Sequence, residues 1–155
     1  GLAALLPEFA EDLAGRGPAY AELAALAAEF TGHLADLADR ATALSPQDRT
    51  PLAGRRAFLL AERYVLLLAA AACLGVWRAA AEDPAGDPFL ADPRWAGAAL
   101  HRLAERLGPR RDPLPGATVD ALFTELSARH EAARTFDLFR TRLATDGGPA
   151  KGVDS

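Results

Sequence analysis

Thirty-seven alanines and 25 leucines stand against four valines and no isoleucine in this chain. Strands favour β-branched and aromatic side chains, whereas helices favour unbranched ones that lose little rotamer freedom. The four valines and eight threonines are the whole β-branched complement. A sheet architecture is thereby excluded, and the chain is expected to be all-α.

At 155 residues, half of them apolar, the chain suits one packed domain. Its single cysteine, Cys73, allows neither an internal disulfide nor a CxxC pair, so nothing points to an oxidising compartment. A net charge of −4 argues against a dedicated nucleic-acid binder. The first residues lack the basic stretch of a signal peptide. The longest unbroken apolar run, Tyr64 to Trp77, has 14 residues. A membrane span needs roughly 18, so this run is expected to be a buried core helix of a cytoplasmic domain without a membrane span. The chain begins Gly-Leu and contains no Met, as expected of a domain excised from a longer polypeptide.

Helix signals recur along the chain. Leu2 to Gly15 predicts a short helix whose regular part starts near Pro7. From Pro18, the positions Tyr20, Leu23, Ala27, Phe30, Leu34, Leu37, Ala41 and Leu44 follow steps of three and four, predicting a helix over 18–44. A third helix is expected from Leu52 to Ala81, apolar almost all round and therefore central. Glu82 to Pro93 reads as the longest loop, and Asp92-Pro93 as the start of a fourth helix to Leu107. Arg110 to Gly116 is a Pro-containing connection. Thr118 then opens a last helix with apolar Val119, Leu122, Phe123, Leu126, Ala133, Phe136, Phe139 and Leu143. The expected architecture is an antiparallel helical bundle of four main helices plus a short N-terminal helix over residues 1–144. Residues 145–155 hold little to bury and read as a flexible tail.

Chemistry is sparse. Glu29 and His33, and His101 and Glu105, are spaced i, i+4; neither is a Glu-x-x-His, and two surface ion pairs explain them better than a metal site. There is no HExxH, no phosphate-binding glycine loop and no Gly-x-Ser-x-Gly elbow. Ser127 and His130 share a helix without a third partner, and His130 is expected to be half-buried. Cys73 lies inside the apolar run, where burial makes a thiol inert. Arg102, Arg106, Arg110 and Arg111 form the densest polar cluster, suited to a phosphate or to an acidic partner such as a carrier protein. The alternative is a solvated basic face balanced by Glu105 and Asp112. Trp77 and Trp95 flank the long loop, where they either line a pocket mouth or pack in the core.

Ala61-Glu62-Arg63-Tyr64, the run Ala70 to Trp77, Phe89, Trp95 and Leu100-His101-Arg102-Leu103 together resemble the C-terminal helical region of actinobacterial acyl-CoA dehydrogenase-like proteins, over roughly residues 55–143. That family combines helical and β domains with bound FAD and oxidises acyl thioesters. The resemblance implies an appended helical domain, not the oxidation itself: the chain has no β domain, no flavin-contacting Gly-Gly-x-Gly and no mappable catalytic base. No cofactor is therefore expected in this chain, with FAD belonging to the parent protein. The expected role is a non-catalytic interaction or dimerisation domain. Its partners would be a second copy, the parent or a partner domain, or an acyl carrier or acyl-CoA. A helical module for an acyl or other apolar ligand is the alternative.

Overall fold

The computed structural model describes residues 1–46, 54–108 and 111–134, and no strand occurs among them. A single 3-10 turn, Leu2–Leu5, leads into α1 (Leu6–Gly15), and a second, Pro18–Tyr20, into α2 (Ala21–Thr42). There follow α3 (Arg55–Glu82), the one-turn α4 (Pro88–Ala91), α5 (Pro93–Leu107) and α6 (Gly116–Glu131). The all-α expectation holds. Leu52, the expected start of the third helix, lies outside the described residues, as does the 145–155 tail.

The core forms where the apolar stripes of α1, α2, α3 and α5 meet. Leu6, Phe9 and Leu13 of α1 pack with Leu23, Ala27, Phe30 and Leu37 of α2, four positions of the expected three-and-four stripe. Leu67, Ala70, Ala71, Leu74 and Trp77 supply α3, and Ala96, Leu100, Ala104 and Leu107 supply α5. Alanine at so many of these positions allows close backbone approach. The ends of α3 fix its direction against α5. Arg63, near its start, donates to the Leu107 carbonyl at 3.2 Å. Trp77, near its end, donates to the Ala91 carbonyl at 3.2 Å, just before α5. The two helices run antiparallel.

The 82–93 stretch is more ordered than a loop. Its three Asp-Pro dipeptides repeat one device, in which each aspartate accepts the backbone N–H two residues on. The distances are 2.9 Å for Asp83 and Ala85, 3.0 Å for Asp87 and Phe89, and 2.9 Å for Asp92 and Arg94. The last two are helix N-caps with Pro in the first turn, so the signal read at Asp92 also starts α4 at Asp87. Both tryptophans tie this segment down: Trp77 through Ala91, and Trp95 through the Leu90 carbonyl at 2.8 Å. The Arg94 guanidinium on Asp92 holds that carboxyl below its usual range.

The last helix ends earlier than its apolar pattern predicts. Ala133 sits in the left-handed region at φ 48. Its N–H donates to His130 and that of Arg134 to Arg129, which closes a Schellman motif after Glu131. The pattern of Leu122, Phe123 and Leu126 continues through Ala133 in register, but this capping turn breaks it. Phe136, Phe139 and Leu143 lie outside the described residues.

Candidate functional site

The third helix is apolar almost all round, yet among the described residues only one of its faces is buried. Leu66, Leu67, Ala70, Ala71, Leu74 and Trp77 are buried against the core. On the opposite side Phe58, Val65, Ala69, Ala72 and Val76 follow steps of seven, four, three and four. Phe58 is 71% exposed and Val65 61%, and none of the five is buried. The expectation of a helix enclosed all round is corrected accordingly. By length and composition α3 is also apolar enough to cross a membrane, since an 18-residue window reaches past the unbroken run.

Among the described residues a second exposed apolar face lies on α6. Val119, Phe123 and Leu126 share one side of this helix, with Phe123 70% exposed. The residues that α6 buries are polar, Thr118 and Arg129. Arg129 is the anchor. It reaches Asp87 at 3.2 Å, the two side chains being 8% and 9% exposed, and it donates to Glu125 at 2.7 Å. Its guanidinium lies 5.1 Å from the centre of the Phe89 ring. An ion pair and a cation–π contact thus hold the helix, while Val119, Phe123 and Leu126 face water. Of the apolar positions read in this helix, Val119, Phe123 and Leu126 stay outside the core.

The Arg102, Arg106, Arg110 and Arg111 cluster is divided. Arg102 is exposed and pairs with Glu105 at 3.0 Å. Arg106 lies 3.8 Å from Glu62 on α3. Arg110 lies outside the described residues. Arg111 points elsewhere and donates to Glu29 of α2 at 2.5 Å. This bond holds the Glu29 carboxyl below its usual range and raises the Arg111 guanidinium. The connection is strapped a second time by His101, whose Nε2 donates to the Asp112 carbonyl at 2.8 Å. His101 is therefore buried rather than on the surface, and its Nδ1 stands 3.9 Å from Glu105, the partner its spacing predicts. His33 keeps its pairing distance of 3.5 Å to Glu29. His130 is exposed, against the expectation of a half-buried one.

Trp77 is fully buried, 5.7 Å from Tyr20, with Arg16 over its ring at 5.2 Å; Trp95 is half-buried. Burial raises the Cys73 thiol, which favours its protonated form. Among the described residues no three His, Cys, Asp or Glu side chains gather as a metal would need. No protein-family model, curated protein or solved structure matches the chain.

The stripe through Phe58 and Val65 was not singled out from the sequence. Its signal was present: apolar residues at Phe58, Val65 and Ala72 keep a seven-residue spacing on the side opposite Leu67, Ala70, Leu74 and Trp77. A helix with two such stripes can serve two neighbours.

Proposed function

We propose that this chain is a non-catalytic helical interaction domain that self-associates through the uncovered face of α3. The observation that carries the reading is the exposure of Phe58 and Val65 on a straight apolar stripe. Contiguous exposed apolar surface on a folded domain marks a contact site. The stripe suits a second copy of itself. It alternates a large residue at either end with Ala69 and Ala72 between, so two antiparallel α3 helices bring small residues to the crossing point. A two-fold interface needs one self-complementary patch of this kind. The scaffold in this reading is an antiparallel bundle in which α1, α2, α3 and α5 supply the core and α6 lies outside it. The burial of six α3 side chains on one face supports a core helix over a membrane span, and with it a cytoplasmic domain. The resemblance to acyl-CoA dehydrogenase-like proteins supports a flavoprotein parent as the setting, with the oxidation performed there.

Sedimentation velocity over a concentration series tests the reading. The wild-type chain is expected to shift from monomer to dimer, and the Phe58→Asp, Val65→Asp variant to stay monomeric with unchanged helicity. A wild-type monomer at every concentration, or a variant that dimerises equally well, contradicts it.

A further inference from the structure

Beyond protein association, a cavity between the C-terminal ends of α2 and α5 and the start of α3 has the chemistry of a ligand site. We propose that it binds a single-chain amphiphile carrying a phosphate, with the head among arginines and the hydrocarbon chain along the adjoining α2–α3 groove.

The cavity measures about 330 Å³ and draws arginines from three helices: Arg40 from α2, Arg56 and Arg63 from α3, and Arg106 from α5. Glu62 is the one carboxylate among its lining residues, and Leu59, Leu60 and Leu66 form the apolar part of the wall. Few of the guanidinium donors are used. Arg40 donates to Asp36 at 2.9 Å, Arg63 to the neutral Leu107 carbonyl at 3.2 Å, and Arg106 stands 3.8 Å from Glu62. A guanidinium carries five N–H donors, so most of each fork remains available.

Position on the helices sharpens the point. Arg40 and Arg106 occupy last turns, where a cation suits the negative helix end. Arg55 and Arg56 open α3, whose first turn holds no acidic residue and whose Gly54 cap offers no side-chain acceptor. Cations there oppose the positive helix end. Arginines from three helices therefore gather at one cavity, with the positive end of α3 adding to their charge and the negative ends of α2 and α5 offsetting part of it, although the chain as a whole carries a net charge of −4. An anion relieves this, and forked guanidiniums match phosphate oxygens two at a time.

Leu60 also belongs to a second hollow of about 370 Å³, lined by Leu34, Leu37, Ala38, Ala41, Ala61 and Tyr64. The Tyr64 hydroxyl is the only polar side-chain group on that lining. The arginine cavity and the apolar groove thus share a wall, in the order that a charged head and one hydrocarbon chain require. Neither includes a residue of the Phe58–Val65–Ala72 stripe, so this site stands or falls independently of the association face.

Isothermal titration calorimetry on the full chain tests the proposal with three probes: dodecyl phosphate below its micelle concentration, inorganic phosphate, and dodecyl maltoside. Dodecyl phosphate is expected to bind saturably, one per chain, at least tenfold more tightly than either of the others. The Arg56→Gln, Arg106→Gln variant, altered at two exposed positions, is expected to weaken dodecyl phosphate by about tenfold or more. Ala38→Trp fills the groove and is expected to reduce dodecyl phosphate to the affinity of inorganic phosphate while leaving the latter unchanged. Melting temperatures near that of the wild type confirm that both variants are folded. Undiminished binding by the arginine variant overturns the proposal. So does equal affinity for dodecyl and inorganic phosphate. Binding to phosphatidic acid vesicles, added as a fourth probe, without binding to monomeric dodecyl phosphate also overturns it, in favour of a membrane surface.

Discussion

Helices α5 and α6 are nearly equal in length and differ in almost everything that holds them. Along α5, Ala96, Leu100, Ala104 and Leu107 fall on one buried face, while Arg102, Glu105 and Arg106 lie in water. Along α6, Val119, Phe123 and Leu126 also share one side, but that side is exposed, and the buried side chains are Thr118 and Arg129. Segregation of apolar residues makes α5 a core element. The apolar side of α6 stays exposed, and an ion pair fastens the helix from its other side. Apolar content alone therefore does not place a helix in the core.

The largest expected effect is on the α5 side of that contrast. Leu100→Ala should cost about 4 kcal/mol by urea denaturation, because it opens a cavity in a fully buried layer. On α6, Arg129→Ala should cost about 3 kcal/mol by breaking its buried ion pair with Asp87. That loss should appear in hydrogen exchange as opening of α6 ahead of the rest of the domain. If the global transition falls with it, α6 is part of the core unit and the contrast fails.

Smaller effects sharpen the comparison. Ala133→Gly should stabilise the end of α6 by about 1 kcal/mol, measured by thermal denaturation, since glycine enters the left-handed cap position without strain. The strap between Glu29 and Arg111 belongs to the core side and should depend on pH. Arg111 depresses the Glu29 carboxyl in the folded state, so its contribution is present above the ordinary glutamate value near pH 4.3 and is lost as pH falls through the depressed one. Glu29→Gln should cost roughly 0.5–1 kcal/mol at neutral pH, a modest figure because both groups are partly exposed, and the difference from wild type should vanish in strong acid. Smallest of all, Phe123→Ala should change stability by no more than about 0.5 kcal/mol, since the ring is not packed.

Much of this organisation was readable from residue types. The alanine and leucine excess excluded sheets, the spacing from Leu23 to Leu37 marked the core face of α2, and Asp92-Pro93 marked a helix start. What periodicity missed were tertiary choices. Nothing local separates the covered from the uncovered side of α3, because both are apolar; neighbours decide. The arginines at 102, 106, 110 and 111 are close in sequence, yet Arg111 turns to Glu29 on another helix. Arg40, Arg56, Arg63 and Arg106 are far apart in sequence and meet around one cavity. The early stop of α6 depends on an alanine in a conformation that helix propensity does not anticipate.

The central claim, that the uncovered face of α3 is where this domain meets a second copy, is tested most directly by hydrogen-exchange mass spectrometry at two protein concentrations that bracket association. The account predicts that peptides covering Phe58 to Val76 gain protection at the higher concentration, while those covering Val119 to Leu126 do not. Protection that is unchanged along α3, or that rises on α6 alone, contradicts it.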